Sequence, residues 1–167
     1  LFLMIEGTKR IENFCNPSKL IPVEKIGVIG SGIMGSGIAQ IALFKHYEVH
    51  MKDIEDAFLQ DGFKKINSLF DSLVTRGKIT DEEKDYCLSH LTGSTNYTQL
   101  SDAQVVIEAA VEREDIKQDI LRNIEELNPN VIYATNTSSI PVTRISAIAK
   151  KKENVLGMHF FNPAPLM

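Results

Sequence analysis

The residue types best suited to acid–base chemistry gather in the last third of the chain. Ser138 and Ser139 offer hydroxyls, His159 an imidazole and Asn162 a side-chain amide. Imidazole titrates near neutral pH, so His159 can take a proton from an alcohol, and a hydroxyl or amide can stabilise the oxygen that becomes negative. His159 is equally consistent with a packed residue at a strand end, and Ser138 with a helix cap. The positions of these residues in the fold distinguish these interpretations.

A glycine-rich turn early in the chain predicts a bound dinucleotide. The apolar residues 26–29 end at Gly30, glycines recur at Gly32 and Gly35, and an apolar helical pattern follows. This is the G-x-G-x-x-G spacing between a strand and a helix, which brings a pyrophosphate to the helix N-terminus. Gly-rich turns are common, so the motif needs support from the rest of the chain.

An acidic residue supplies that support. Asp53 ends the second predicted strand, 18 positions after Gly35. That spacing is close to the one expected for a carboxylate that binds the adenosine ribose, and a carboxylate there repels a 2′-phosphate, which favours NAD over NADP. Alternation along the strand predicts that Lys52 points to the opposite face. The alternative interpretation of Asp53 is a cap on the following helix.

Alternating strand and helix patterns predict the elements that position these residues. We expect a doubly wound (Rossmann), mostly parallel sheet, an α/β fold in which a helical hairpin replaces one crossover. Residues 1–24 are interpreted as a linker or docking segment, and residues 25–167 as a nucleotide-binding domain. The strands are predicted at 25–30, 48–52, 91–95, 105–111, 131–134 and 154–160, and the helices at 33–45, 55–76, 80–89, 114–127 and 141–150.

Charged residues in this pattern have two interpretations each. Glu108 and Glu112 fall near the end of the 105–111 strand, where open α/β sheets bind ligands, but strand-end carboxylates can also simply be solvated. For Glu108 the sequence does not separate these possibilities. The basic residues of the helical hairpin fit a solvated face or a contact to a substrate phosphate; they are Lys64, Lys65, Arg76 and Lys78.

Composition excludes several classes of function. The chain has 167 residues, 43% of them apolar, and a net charge of −4, which fit one globular domain and argue against a nucleic-acid partner. No apolar stretch approaches the roughly 20 residues of a membrane helix. Cys15 and Cys87 are far apart and the four histidines lack metal-ligand spacing, so we expect no disulfide, no metal site and a cytoplasmic location. A G-x-S-x-G hydrolase motif is also absent from the sequence.

Four segments together resemble one enzyme family. They read Gly-Ser-Gly-Ile-Met-Gly-Ser-Gly-Ile-Ala-Gln (30–40), Val-Ile-Glu-Ala-Ala-Val-Glu (106–112), Asn-Thr-Ser-Ser-Ile (136–140) and Gly-Met-His-Phe-Phe-Asn-Pro-Ala-Pro-Leu-Met (157–167). Their order and spacing resemble the NAD-binding domain of 3-hydroxyacyl-CoA dehydrogenases. Met-Lys-Asp (51–53) and Thr-Arg-Gly-Lys-Ile (75–79) are most similar to the alpha subunit of multifunctional fatty-acid oxidation enzymes, in which a hydratase/isomerase domain precedes this one.

The resemblance implies a reaction and a role for each site residue. An L-3-hydroxyacyl-CoA would be oxidised to a 3-ketoacyl-CoA in fatty-acid beta-oxidation, with NAD taking the hydride. His159 would be the catalytic base, Ser138 would bind the substrate hydroxyl, and Asn162 would position substrate or cofactor. The residues implied to contact NAD are Gly30, Gly32, Ile33, Met34, Gly35, Asp53, Ala110, Val111, Glu112, Lys117 and Ser138. A full-length enzyme would form an oligomer or a complex with a thiolase subunit.

This sequence differs from the family pattern at several points, and the differences affect the expected activity. In the family, a Glu that pairs with the catalytic histidine follows shortly after Asn-Pro-x-Pro-x-Met, and a helical C-terminal domain closes over the acyl-CoA. Both would lie beyond Met167, so these residues alone are expected to bind NAD but to be nearly inactive. His46 stands where a Gly often ends the first helix, and Arg113 replaces a common Asn.

Other functions compete with this one. A different Rossmann dehydrogenase, acting on non-CoA hydroxy acids or sugar acids, would share the glycine turn. A non-catalytic NAD-binding module would share the fold without the chemistry. Ser138, His159 and Asn162 together disfavour the first, and the presence of both Ser138 and His159 disfavours the second.

Overall fold

The computed structural model describes residues 22–164, which fold around one six-stranded parallel sheet. The predicted linker therefore lies almost entirely outside the described residues. The strands are β1 (Lys25–Ile29), β2 (Glu48–Lys52), β3 (Leu91–Ser94), β4 (Val105–Glu108), β5 (Ile132–Thr135) and β6 (Val155–Gly157). They lie in the order β3-β2-β1-β4-β5-β6, the arrangement of a doubly wound fold. The predicted fold class is confirmed.

Helices cover both faces of this sheet. They are α1 (Ile33–Phe44), α2 (Asp56–Thr75), α3 (Asp81–Ser89), α4 (Glu114–Leu127) and the single turn α5 (Val142–Ile145), with short 3₁₀ turns at Thr98–Leu100, Ser146–Ile148 and Lys152–Asn154. Helices α2 and α3 form the predicted hairpin between β2 and β3. The Thr80 hydroxyl accepts from the Glu83 backbone N–H and the Glu83 carboxylate accepts from the Thr80 N–H, so α3 begins with a reciprocal cap.

Two apolar clusters hold the helices against the sheet. One surrounds α1 and α2 and includes Val28, Ile66 and Phe70, none of which is exposed. The other lies under α4 and includes Val106, Leu121 and Tyr133. Strands β1 and β4 are buried on both faces, which accounts for their nearly continuous apolar sequence. Burial of this kind is the main term that stabilises the fold.

Strand order reverses between β1 and β4, and this defines the functional edge of the sheet. From β1 the chain moves outward to β2 and β3, then returns to the other side of β1 as β4. Ile29 pairs with Lys52 on one side and with Glu108 on the other. Connections that leave β1 and β4 in opposite directions open a crevice at their carboxyl ends, where ligands bind in such folds.

Two strands end three residues earlier than the sequence pattern predicts. Strand β4 ends at Glu108 instead of residue 111, and β6 ends at Gly157 instead of residue 160. The apolar residues that follow belong to loops: Val111 is 59% exposed and Phe161 63%. His159 and Glu112 therefore lie in loops beyond the sheet edge.

His46 follows the end of α1 in the left-handed region, with φ of 65°. A residue with a side chain is strained by about 1–2 kcal/mol in that region. Gly has no such strain, although it loses more conformational entropy on folding than other residues. His46→Gly is therefore expected to raise the free energy of unfolding by about 0.5 kcal/mol, measured by denaturant titration. Lys45→Gly is the control because Lys45 has φ of −93° and gains no such relief. Equal destabilisation by both changes would contradict the prediction.

Candidate active site

The glycine turn between β1 and α1 is built for close approach of a ligand. Gly30 has φ of 97°, and a Cβ there would lie 2.6 Å from the Ala109 carbonyl oxygen. A Cβ on Gly35 would lie 1.8 Å from the Gly30 carbonyl oxygen, so only glycine lets α1 pack on the turn. Around Gly32, in contrast, a Cβ would meet no atom within 4 Å. The open side of the turn is the side from which a phosphate would approach.

The N-terminus of α1 is suited to bind an anion. Gly32 is its N-cap and provides no side-chain cap, and the first turn contains no acidic residue. The first N–H groups of a helix lack partners within the helix, and its dipole favours negative charge there. Turn and helix together fit the pyrophosphate of a dinucleotide. Of the predicted contact residues here, Ile33 is 67% exposed, whereas Met34 packs partly against the core.

Asp53 lies beside this turn and is held by it. Its Oδ2 accepts hydrogen bonds from the Ser31 backbone N–H (2.7 Å) and hydroxyl (2.5 Å), and its Oδ1 accepts from the Ile54 N–H (2.7 Å). Helix α2 begins after Glu55, so Asp53 is not its N-cap and the capping interpretation is wrong. A cleft of about 360 Å³ opens between Asp53, Gly32 and Ala110.

Lys52 borders the same cleft as Asp53, contrary to the expectation from strand alternation. Alternation fails because Asp53 lies past the last strand residue. The Lys52 side chain is almost fully buried, and its ammonium lies 4.2 Å from the Tyr97 ring centroid, a cation–π contact. Burial lowers the Lys52 pKa, and the negative charge of Asp53 opposes that shift.

On the other side of the turn, Glu112 organises the loop after β5. Its Oε1 accepts hydrogen bonds from the Thr137 hydroxyl (2.6 Å) and from the backbone N–H groups of Ser138 (2.9 Å) and Ser139 (3.0 Å). The Ser138 hydroxyl lies 3.4 Å from the same oxygen and remains exposed. The structure thus brings together Glu112 and Ser138, two of the residues predicted for the site.

Burial alone would raise the Glu112 pKa, but the hydrogen bonds from Thr137, Ser139 and Ser138 outweigh it and lower the pKa to about 2. This interaction stabilises the fold above the ordinary value of 4.5 and is lost as pH falls toward 2. Because 36% of the side chain is exposed, solvent screens the interaction, and its contribution to the free energy of unfolding is about 1 kcal/mol. The difference in unfolding free energy between wild type and Glu112→Gln is expected to shrink by that amount from pH 4.5 to 2, in denaturant titrations. A pH-independent difference would contradict this.

Glu108 and Lys117 form a fully buried ion pair that the sequence analysis missed. Lys117 Nζ lies 2.7 and 2.9 Å from the two Glu108 oxygens, and neither side chain is exposed. Glu108 also accepts from the Thr135 hydroxyl (2.7 Å) and the Ala110 N–H (2.7 Å). The solvated interpretation of Glu108 is therefore wrong. The interaction ties β4, β5 and α4 together under the loop that carries Glu112.

The predicted role of Lys117 at the cofactor is an open proposal. Its ammonium is committed to Glu108 and also lies 3.4 Å from Glu112 Oε2. A signal for its burial was present in the sequence. Lys117 shares a helical face with Ile120, Leu121 and Ile124, the buried stripe of α4, at spacings of three, four and seven residues.

His159 lies in the loop after β6, and the end of β5 anchors that loop. The Met158 N–H donates to the Thr135 carbonyl (3.0 Å), and the Phe160 N–H donates to Asn136 Oδ1 (2.8 Å). Between these anchors the His159 ring is exposed and lies 4.9 Å from the Phe161 ring, centroid to centroid. Asn136, which the sequence analysis did not single out, thus holds the imidazole segment beside the Ser138 loop.

A second cleft, of about 460 Å³, lies between the start of α1, the middle of α2 and the His159 loop. Ile33 and Asn162 border it, together with Lys64, Lys65 and Ser68. It combines an apolar wall with two cationic side chains next to an amide predicted for the site. Such a cleft suits a ligand that carries both an apolar chain and anionic groups.

Comparison with known proteins identifies the family. The family described as "3-hydroxyacyl-CoA dehydrogenase, NAD binding domain" matches residues 25–167. The chain belongs to this family. Its cofactor is NAD, in agreement with the turn, Asp53 and the cleft between them. Within residues 22–164, no group of three or more His, Cys, Asp or Glu side chains is arranged to hold a metal ion. The same residues contain no helix long and apolar enough to cross a membrane.

Several known proteins are similar to this chain. The 3-hydroxybutyryl-CoA dehydrogenase of Mycobacterium tuberculosis is 39% identical over 147 residues, 87% of this chain and 51% of its own length. The peroxisomal fatty acid beta-oxidation multifunctional protein AIM1 of Arabidopsis thaliana is 38% identical over 100% of this chain and 23% of its own length. The crystal structure of M. tuberculosis FadB2 matches with a TM-score of 0.85 and 38% identity, covering 88% of this chain and 52% of that one. The chain thus spans about half or less of the length of these relatives.

Proposed function

We propose that this chain is the NAD-binding part of an enzyme that oxidises L-3-hydroxyacyl-CoA to 3-ketoacyl-CoA in fatty-acid beta-oxidation. The observation that carries the proposal is the arrangement around Glu112. This carboxylate orders the Ser138 loop at the same sheet edge to which the glycine turn and Asp53 bring the dinucleotide site. Family membership and the names of the curated relatives support the substrate class.

The dinucleotide would lie with its pyrophosphate at the Gly32 turn, its adenosine ribose at Asp53, and its nicotinamide end toward Ala110 and Glu112. When bound, NAD supplies the acceptor for the hydride that leaves the substrate carbon. The residues present fit this group, since the turn is open at Gly32 and the first turn of α1 carries no acidic residue to repel phosphate. Asp53 favours a ribose with a free 2′-hydroxyl.

The chain's own residues would accept the substrate proton and hydrogen-bond to the substrate oxygen. An imidazole nitrogen of His159 takes the proton of the substrate 3-hydroxyl as the carbonyl forms. The Ser138 hydroxyl donates a hydrogen bond to that oxygen, where negative charge develops. Glu112 keeps the loop ordered by accepting from the Ser138 and Ser139 N–H groups, so the Ser138 position is set before substrate arrives.

The acyl-CoA would occupy the second cleft. Asn162 borders that cleft and would orient the thioester end, while the Lys64 ammonium would attract the CoA phosphates, assisted by the Lys65 ammonium, which also pairs with Asp61. This assignment favours the substrate-handle interpretation of the two lysines over a purely solvated face. It also disfavours the alternative of a free hydroxy acid, which has no phosphate for them to bind.

An assay of the intact protein that contains this chain tests the proposal. We expect NADH formation with L-3-hydroxybutyryl-CoA and NAD⁺, and none with free 3-hydroxybutyrate, because the free acid lacks the CoA group. Equal turnover of the free acid would favour the non-CoA dehydrogenase. NAD⁺ binding without turnover of either compound would favour the non-catalytic module.

Partners and location are part of this proposal. The similarity to multifunctional proteins of Arabidopsis thaliana and Cucumis sativus supports a multifunctional full-length protein, and the preceding hydratase/isomerase domain is proposed from the resemblance seen in the sequence. Association with itself or with a thiolase subunit is proposed for the full-length enzyme, and size measurement of the purified complex tests it. A cytoplasmic location is proposed from the cysteine usage. The peroxisomal and glyoxysomal names of the plant relatives offer the alternative, which cell fractionation distinguishes.

A further inference from the structure

Ser31 lies between the first two glycines of the turn, yet its side chain is only 2% exposed. Its hydroxyl oxygen lies 2.5 Å from Asp53 Oδ2 and 2.8 Å from the Phe58 carbonyl oxygen. A hydroxyl has one proton to donate, and the carboxylate is both the nearer and the charged acceptor. The Ser31 hydroxyl therefore donates to Asp53.

This bond completes the immobilisation of the Asp53 carboxylate. Oδ2 accepts both the N–H and the hydroxyl of Ser31, and Oδ1 accepts the Ile54 N–H. A carboxylate has about two acceptor positions on each oxygen, so Oδ2 is filled and Oδ1 keeps one position for a ligand. Without the hydroxyl, the carboxylate has fewer bonds that oppose its rotation.

Helix α2 closes over the Ser31 side of this contact and buries its hydroxyl, while Asp53 remains partly exposed. A Cβ on Gly62 would lie 2.6 Å from the Ser31 Cβ, so α2 approaches the turn here as closely as a glycine permits. Ser36, 1% exposed, donates its hydroxyl to the Ser31 carbonyl oxygen (3.0 Å). Exclusion of water strengthens a hydrogen bond to a charged group. Ser36 belongs to the same buried contact and does not bond to Asp53, which makes it the matched control.

We propose that Ser31 is a positioning residue that sets the preference of the site for NAD over NADP. It holds Asp53 so that Oδ1 accepts from the adenosine 2′-hydroxyl and the charge cannot turn away from a 2′-phosphate. The inference rests on the proposed function, in which Asp53 binds the adenosine ribose. Loss of the hydroxyl removes one of the three bonds that hold the carboxylate and loosens its orientation, which weakens NAD binding and relieves part of the repulsion of NADP.

Calorimetric titration of the protein with NAD⁺, NADP⁺ and NAD⁺ that lacks the adenosine 2′-hydroxyl tests this role. For Ser31→Ala we expect the ratio of NADP⁺ to NAD⁺ dissociation constants to fall about tenfold. The loss in NAD⁺ affinity should disappear with the deoxy analogue. Ser36→Ala should leave the ratio within about twofold of wild type. In an Asp53→Asn background, Ser31→Ala should have no further effect, because the two residues act as a unit.

The alternatives give different results. Equal weakening of NAD⁺ and the deoxy analogue by Ser31→Ala would show a merely structural role and overturn the proposal. An unchanged ratio in Ser31→Ala, with a ratio lost in Asp53→Asn, would overturn the role of Ser31 alone. Wild-type protein that binds no NAD⁺ would overturn this inference and the proposed function together. Circular dichroism checks folding, and Ser31→Gly, which also removes the hydroxyl, replaces Ser31→Ala if that variant unfolds.

Discussion

Replacing His159 by alanine is expected to lower kcat for oxidation of L-3-hydroxybutyryl-CoA by about 10²- to 10⁴-fold, the usual contribution of a positioned general base. The imidazole is exposed in a loop that two backbone N–H groups fix to the Thr135 carbonyl and the Asn136 side chain, so its removal takes away a proton acceptor without opening the core. The dissociation constant for NAD⁺ should stay within about twofold of wild type, because the Gly32 turn and Asp53 are untouched. Steady-state kinetics and calorimetric titration measure the two quantities.

The control for this experiment is His46→Asn. His46 follows the C-terminal end of α1, at the opposite edge of the sheet from the turn that begins this helix, and Asn tolerates its left-handed backbone. Its kcat should equal that of wild type. A His159→Ala enzyme that keeps more than about a tenth of wild-type kcat would remove His159 from the role of base.

Replacing Lys117 by methionine is expected to lower the free energy of unfolding by about 3–5 kcal/mol, the typical cost of leaving one partner of a buried ion pair without the other. Glu108 would keep its bonds to Thr135 and the Ala110 N–H, but its charge would have no buried cation beside it. Denaturant titration near neutral pH measures the effect.

Two further variants separate the charge from the packing. Glu108→Gln combined with Lys117→Met should recover part of the loss, since the fully buried Glu108 charge is then gone, and Glu112, which also faces Lys117, is 36% exposed. Arg122→Ala is the surface control. The Arg122–Asp119 pair is also short, at 2.5 Å, but both side chains are more than half exposed, so its loss should cost less than about 1 kcal/mol. A cost below about 1 kcal/mol for Lys117→Met would contradict the assignment of this pair as buried and unscreened.

The sequence predicted the dinucleotide edge of the fold well because local chemistry determines it. The Gly30 turn and the apolar β1 are each recognisable within a few neighbouring residues. The same reasoning overextended β4 and β6. Residues such as Val111 and Phe161 are apolar and largely exposed beyond the sheet edge, so hydrophobic pattern alone could not mark where the strands end.

The contacts that order the site could not be predicted from the local sequence. Glu112 bonds to Ser138 and Ser139 across 26 and 27 positions, and Glu108 bonds to Thr135 across 27, distances over which sequence periodicity carries no information. Lys117 was the exception, because its place on the buried face of α4 was visible in the spacing. Family resemblance named Ser138 and His159 as site residues, but it did not predict the buried bond of Ser31 to Asp53.

Helix α2 contacts both the dinucleotide turn and the second cleft. At Gly62 it presses on the dinucleotide turn, and at Lys64, Lys65 and Ser68 it forms a wall of the second cleft. An α-helix rises 1.5 Å per residue, so the six steps from Gly62 to Ser68 fix an interval of about 9 Å along one rigid rod. The helix therefore fixes the distance between the dinucleotide turn and the second cleft. A one-residue insertion between Gly62 and Lys64 would turn the wall residues by about 100° relative to Gly62 and change how the second cleft faces the dinucleotide turn.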